Sequence, residues 1–79
     1  MTYRLTQLAP GAYDLLLKGK VIGSVVRGGS RDSPIWIAEL LRRHLPHQRP
    51  MPFTEQEHEF KTLEQVCNWL QIPKSLEAG

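Results

Sequence analysis

Basic side chains are the residues of this chain whose type and spacing most readily suggest chemistry. Eight of the ten Lys and Arg residues lie within residues 1–49, together with three acidic residues. Residues 50–79 have the opposite balance, with two basic and five acidic residues. Guanidinium and ammonium groups bind phosphates, so this asymmetry suits an anionic partner of the first part. Mutual neutralisation of the two parts across the fold explains the same asymmetry.

The basic residues fall into two groups along the chain. One group lies on or beside predicted strands, and the other accompanies two histidines near several prolines. If both groups share one face of a sheet, that face would contact phosphates and base edges of a nucleic acid. An ordinary solvated surface is the alternative. The candidate nucleic-acid-binding residues are Arg4, Lys18, Lys20, Arg27, Arg31, Arg42, Arg43 and Arg49.

A protein-interaction module is the competing hypothesis. Tryptophan and arginine dominate the energetics of protein interfaces, and Trp69 lies beside the apolar stripe of a predicted helix. An acidic stretch between Phe53 and Phe60 would supply a charged edge. The candidate protein-interface residues are Trp69, Glu55, Glu57 and Glu59.

Neither a metal site nor a catalytic centre is predicted. The potential zinc ligands are His44, His47, His58 and Cys67, but the first two span a proline and the cysteine belongs to an apolar helical stripe. The serines, aspartates and histidines show no spacing that pairs a nucleophile with a base. A chain of 79 residues is also short for a deep pocket beside its core. We therefore expect no cofactor, no metal and no enzymatic activity.

Residues 27–31 form a glycine-rich segment, Arg-Gly-Gly-Ser-Arg, between two predicted elements. Successive backbone N–H groups in such a segment can surround a phosphate. The segment lacks the closing Lys-Ser/Thr of a P-loop and a following helix. A flexible loop is the favoured interpretation.

The elements that must position these residues begin with a meander of three strands over residues 3–27. Its predicted strands are residues 3–8, 13–17 and 20–27, each rich in β-forming residues. Pro10-Gly11 suits a type II turn, because proline presets the first central φ and glycine accepts the positive φ of the second.

The hairpin at Lys18-Gly19 has two possible registers. A two-residue turn pairs Leu15 with Ile22, whereas a glycine bulge pairs Leu15 with Val21. Because side chains alternate between the faces of a sheet, the register decides which valines and isoleucines of the third strand reach the core.

Residues 35–45 fit either a helix or a strand. Ser33-Pro34 is typical of an N-cap followed by proline at the first helical position, and the leucines that follow fit one helical face. The alternation from Trp36 to Leu40 is typical of a strand that is buried on both faces. Local propensity favours the helix.

A proline-rich connector over residues 46–59 leads to a helix at residues 62–71. Thr62 is a suitable N-cap, and Gln65 completes a capping box three residues later. One apolar stripe consists of Leu63, Val66, Cys67 and Leu70. Pro73 is predicted to end the helix, because proline cannot continue the hydrogen-bond ladder.

The segment that begins at Glu59 resembles the closing segment of AP2-like DNA-binding modules of the type found at the N-terminus of phage-type integrases. In that family a phenylalanine, one further residue, a capping threonine and a helix ending in Trp-Leu follow a three-stranded sheet. The matching positions are Phe60, Thr62, Trp69 and Leu70. This chain has His58-Glu59 where the family has a basic residue and glycine. The resemblance implies a sheet followed by a helix and a DNA-binding role, and it favours a strand over residues 35–41.

These observations predict one α+β domain over residues 1–79, with three to four antiparallel strands packed against a C-terminal helix. The expected function is non-enzymatic binding of nucleic acid, or of another protein in the alternative hypothesis. We expect no membrane partner, since no apolar run approaches the roughly 20 residues of a span and no secretory leader is evident. One cysteine gives no internal disulfide, so a cytoplasmic protein is expected. Its concrete form is a small accessory or regulatory protein of bacterial or phage origin.

Overall fold

The computed structural model describes residues 2–72 as a five-stranded antiparallel sheet with one α-helix. The elements are β1 (Tyr3–Ala9), β2 (Ala12–Leu17), β3 (Lys20–Gly29), β4 (Pro34–Leu40), β5 (Glu57–Phe60) and α1 (Leu63–Leu70). Every strand pairs with the next one in the chain, in the order β1-β2-β3-β4-β5. The α+β class is confirmed, but the sheet has five strands where three to four were predicted.

The disputed segment is strand β4 as far as Leu40. It pairs along its length with β3, from Gly29 opposite Pro34 to Gly23 opposite Leu40, and its other edge pairs with β5. Ala38 and Leu40 are only 0% and 3% exposed. Helix propensity is worth less than about 1 kcal/mol per residue for ordinary residues. Pairing on both edges and burial therefore outweigh it.

The fifth strand overlaps the last three residues of the segment 46–59 that the sequence predicts as a connector. It pairs with β4 from Trp36 opposite Phe60 to Glu39 opposite Glu57. Only His58 and Phe60 of this strand are half-buried, and its two glutamates are exposed. A four-residue strand of this composition has too weak an alternation to be recognised from sequence.

The β2–β3 hairpin has a two-residue turn, yet it has neither of the predicted registers. Lys18 and Gly19 both have positive φ, of 55° and 80°, as a type I′ turn requires. The register shifts between Leu15 and Leu16, so Leu15 lies opposite Gly23 and both predicted partners of Leu15 are wrong. Because of this shift, Val25 is buried in the core while Val21 is 43% exposed.

The core lies between α1 and one face of the sheet, here called the helix face. The other face is called the open face. The buried hydrophobic residues are Tyr3, Leu15, Val25, Ala38, Leu40, Phe53, Val66, Cys67, Leu70 and Ile72. No helix in the described part of the chain is long and apolar enough to cross a membrane.

Helix α1 begins and ends through local hydrogen bonds. The Thr62 hydroxyl accepts from the Gln65 N–H at 3.1 Å, and the Gln65 side chain accepts from the Lys61 N–H at 2.9 Å. At the other end Gln71 adopts a left-handed conformation, and the Ile72 N–H donates to the Cys67 carbonyl at 2.8 Å. This pattern is a Schellman cap. The predicted stop at Pro73 lies outside the described residues.

Tyr3 links β1 to the segment that precedes β5, and we expect this link to depend on pH. Its hydroxyl donates to the Met51 carbonyl at 2.6 Å, and burial raises the pKa of the hydroxyl above its ordinary value of 10.0. The hydroxyl therefore holds its proton more tightly in the folded state than in the unfolded chain. Its contribution to stability is fully present below pH 10 and is lost as the pH rises further. Tyr3→Phe should lower the free energy of unfolding by about 1 kcal/mol at pH 7. The same substitution should also reduce the loss of unfolding free energy that the parent protein shows above about pH 10.

The matched control is Tyr13→Phe, because Tyr13 is half-buried and its ring packs against Trp36. Urea unfolding at neutral pH and near pH 11 measures both effects. Equal losses in the two variants at both pH values would contradict the role given to the Tyr3 hydroxyl.

Candidate functional site

The antiparallel topology divides the predicted basic residues between the two ends of the sheet. The β2–β3 turn and the last residues of β4 lie at one end. The β1–β2 turn at Pro10-Gly11 and the β3–β4 loop lie at the other, here called the loop end. Lys18, Lys20, Arg42 and Arg43 belong to the first end, whereas Arg27 and Arg31 belong to the loop end. Arg4 lies opposite Leu16 and so near the first end as well, but on the outer strand β1 and on the other face from Lys20, whereas Arg49 belongs to neither end.

The open face of the sheet carries more acidic than basic residues. Strand pairing places Asp14, Ser24, Glu39 and Glu57 in one row across four strands of this face. Glu59 lies in the neighbouring row, and the one basic residue that strand alternation places on this face within residues 2–72 is Arg4. The eight predicted residues therefore do not form one basic sheet face.

The structure does bring four basic residues together at the end that contains the β2–β3 turn. This cluster, here called the basic end, consists of Lys18, Lys20, Arg42 and Arg43. The Leu41 N–H donates to the Ile22 carbonyl at 2.9 Å, which extends the β3–β4 ladder beyond Leu40. This extension sets Arg42 beside the start of β3.

Lys20 and Arg42 line the same groove, to which Val21, Ile22, Leu41 and His44 also contribute. Two of its apolar side chains are open to solvent, with Val21 43% and Leu41 65% exposed. The groove therefore combines cations with accessible apolar surface.

Gln56 holds the backbone of the basic end in place. Its side-chain amide donates to the Leu40 carbonyl at 3.1 Å and to the Arg42 carbonyl at 2.5 Å. Its oxygen accepts from the His44 N–H at 3.4 Å, and its own backbone carbonyl accepts from the Leu40 N–H at 3.0 Å. The His44 Nδ1 also bonds the Arg42 carbonyl at 2.8 Å, so Nδ1 carries a proton. Sequence reasoning missed Gln56, because its partners are 12 to 16 residues away.

Arg49 has a structural contact of its own. Its guanidinium donates to the Thr54 carbonyl at 2.9 Å, and the residue is half-buried. Its Nε is buried and has no hydrogen-bond partner among residues 2–72. Arg49 is therefore oriented towards its own loop and does not join the basic end.

The predicted protein-interface residues are divided between the two faces. Trp69 packs on the helix face in an aromatic cluster, with ring centroids 4.8 Å from Phe53, 4.7 Å from His58 and 5.0 Å from Phe60. It is half-buried. Glu57 and Glu59 alternate with His58 and Phe60 on β5 and so point to the open face. The structure thus separates Trp69 from both of these glutamates.

His58 supports the turn that contains Glu55. Its Nε2 lies 3.2 Å from the backbone nitrogens of both Thr54 and Glu55 and accepts from both N–H groups. Glu55 itself is exposed. The polar side of the ring therefore orders the turn before β5 while its face packs against Trp69.

The residues weighed as zinc ligands lie in different surroundings. His44 is at the basic end, His58 is in the aromatic cluster, and Cys67 is 1% exposed in the core. Within residues 2–72, no three His, Cys, Asp or Glu side chains are grouped so that they could hold a metal ion.

The basic end is the cluster that the fold assembles from residues far apart in sequence. None of its four cations forms an ion pair with another residue in the described range 2–72. Comparison of the chain with known protein families, with curated proteins and with solved structures finds no match.

Proposed function

We propose that this protein binds nucleic acid without catalysing a reaction, and that the basic end makes the contact. The observation that carries this proposal is the groove shared by Lys20 and Arg42, with Lys18 and Arg43 next to it in the chain, and the absence of an ion pair to any of the four within residues 2–72. Unpaired cations on a surface attract a polyanion and release its condensed counterions on binding.

The spacing of the cluster suits a run of phosphates. Adjacent strands of a sheet lie about 4.8 Å apart, so the cations of the β2–β3 turn, of the start of β3 and of the residues just after β4 form a short row. A row of this kind contacts several phosphates in succession, and the exposed Val21 and Leu41 between the charges can cover sugar or base surface.

The resemblance of the C-terminal segment to AP2-like modules supports the same class of partner. In such modules a sheet face enters the major groove. In this protein the carboxylates of the open face would repel phosphates. We therefore assign the nucleic-acid contact to the basic end. Binding through phosphates alone would show little preference for base sequence.

Salt dependence gives a direct test of this proposal. Four phosphate contacts predict that log K falls against log salt with a slope of about −3.6 for duplex DNA. Lys20→Gln combined with Arg42→Gln should make the slope shallower by about two and weaken binding to every sequence. Fluorescence anisotropy with a labelled duplex and a labelled single strand, measured over a range of salt, reports both quantities.

Lys61→Gln is the matched control, because Lys61 is an exposed cation just after β5, at the loop end. This variant should keep the slope of the parent protein. Absence of binding to both probes at low salt would exclude the proposal. So would an unchanged slope in the variant with both substitutions.

A second candidate function is binding of a cationic protein segment by the open face. Val26, Ile37 and Glu59 are neighbours in one row of this face, and Glu39 pairs with Glu57 in the next. Half-buried apolar side chains bordered by carboxylates complement an amphipathic segment that carries Lys or Arg.

A synthetic amphipathic Lys/Leu peptide tests this second candidate. Glu57→Gln with Glu59→Gln should weaken its binding roughly tenfold in calorimetry, which corresponds to about 1.4 kcal/mol. Asp32→Asn, which removes an exposed carboxylate from the β3–β4 loop, should leave binding unchanged. If Asp32→Asn lost as much peptide affinity as the variant with both glutamate substitutions, binding would be a response to net charge. That result would contradict a site on the open face.

A further inference from the structure

A second cationic concavity lies at the loop end of the sheet. It is lined by the Pro10-Gly11 turn and by residues 27–31, and it has a volume of about 420 Å³. Arg27 is seven residues from Lys20 along β3, which corresponds to roughly 23 Å at the rise of a strand. The concavity is therefore distinct from the basic end.

The fold holds the base of Arg27 firmly. The Arg27 N–H donates to the Gly11 carbonyl at 2.8 Å. Gly11 has a φ of +80°, and a Cβ there would lie 3.3 Å from the Arg27 Cβ. Glycine at this turn thus lets the stem of Arg27 lie against the turn, while the residue as a whole remains exposed.

The path of the loop is set by Gly29. Its φ is +78°, and a Cβ at this position would lie 2.5 Å from the Ser33 carbonyl oxygen. The loop can therefore turn back closely enough to bring Arg31 to the same concavity as Arg27. The Ser30 hydroxyl accepts from the Ser33 N–H at 3.0 Å, which leaves the hydroxyl proton available to a ligand.

Neither guanidinium is neutralised by a residue in the described range 2–72. The acidic residue of the loop, Asp32, does not line the concavity. Two arginines and a serine thus line a concavity whose other residues are Pro10 and three glycines.

We propose that this concavity is a binding site for a phosphate monoester group. Arginine donates in a planar fork that matches the oxygens of phosphate, and two such forks suit a dianion. Gly28 and Gly29, the last two residues of β3, carry no side chain that would keep a ligand from the backbone. The volume exceeds that of one phosphate and leaves room for an attached sugar. The site uses residues different from those of the basic end, so it does not depend on the proposed function.

Amide chemical shifts of the ¹⁵N-labelled full chain provide the test. Inorganic phosphate, titrated at constant ionic strength against chloride, should shift the amides of Gly11 and residues 28–31 and should saturate. Arg27→Gln with Arg31→Gln should weaken this response at least tenfold. Lys20→Gln with Arg42→Gln should leave it unchanged. Both arginines are exposed, so the spectrum of the variant should retain the dispersion of the parent protein.

Two further ligands distinguish the source of the phosphate. Tighter binding of ribose 5-phosphate than of ribose would indicate a phosphorylated small molecule. A response that depends on the 5′-phosphate of an oligonucleotide would indicate a nucleic-acid terminus. A linear response without saturation would overturn the proposal. An equal response after substitution of both arginines would do so as well. These results are independent of the salt slope that tests the basic end.

Discussion

Replacement of Gly23 by alanine should lower the free energy of unfolding by about 3 kcal/mol or more, close to the limit of overpacking effects. Gly23 is buried at the point where β3 lies between Leu15 of β2 and Leu40 of β4. A Cβ there would lie 2.2 Å from the Glu39 carbonyl oxygen and 3.3 Å from the Leu40 Cα. Both are backbone atoms of β4, so the strand itself would have to move.

Urea unfolding followed by tryptophan fluorescence measures this effect. A domain of this size has little stability to spare, so the Gly23→Ala protein should be partly unfolded without denaturant. Gly28→Ala is the matched control on the same strand. Its Cβ would meet Ile37 and Ile35 side-chain carbons at 3.7 and 3.8 Å, which are ordinary contacts.

The control should change stability by less than about 1 kcal/mol, because it fits the available space and also restricts the unfolded chain. If both alanine variants unfold at the same urea concentration, the close approach of β4 to Gly23 is wrong.

Trp69→Ala should cost about 3 kcal/mol, at the lower end for removal of a large aromatic ring because Trp69 is only half-buried. Its ring contacts three other rings, those of Phe53, His58 and Phe60, and closes the space between α1 and β5. Loss of the ring also uncovers His58, whose Nε2 orders the turn at Thr54. We expect a lower midpoint of urea unfolding, and far-ultraviolet circular dichroism measures it.

Asn68→Ala provides the comparison, since Asn68 is the exposed neighbour on the same helix. Its free energy of unfolding should stay within about 0.5 kcal/mol of that of the parent protein, as for most surface substitutions. Equal stability of the two variants would show that the aromatic cluster contributes little.

The expected cost of Trp69→Ala also affects any test of Trp69 as a protein-interface residue. A partner that no longer binds the alanine variant could be responding to a damaged fold. Trp69→Phe keeps an aromatic ring against Phe53 and Phe60 and is therefore the better probe.

The charge asymmetry of the sequence has a different meaning in the folded chain. Residues 1–49 are basic overall, but the strands direct their charges to both faces and both ends of the sheet. Carboxylates of β2, β4 and β5 then make the open face acidic. Two pairs of cations share a surface. Lys20 at the start of β3 and Arg42 just after β4 line one groove, and Arg27 and Arg31 line the concavity at the loop end.

The sequence alone determined the C-terminal helix and located the two tight turns of the meander, although it did not give the register of the second hairpin. Thr62 and Gln65 form their capping bonds with residues at most four positions away, and Lys18-Gly19 forms a turn from its own two residues. Interactions of this range depend on neighbours in the chain, so sequence patterns describe them well.

Tertiary structure decided the identity of β4, the existence of β5 and the register that places Leu15 opposite Gly23. A strand obtains its hydrogen bonds from other strands, and its stability depends on burial that no local pattern contains. The same reason explains the candidate site. Lys20 and Arg42 meet because β3 and β4 are paired, and Gln56 holds them there from a third segment.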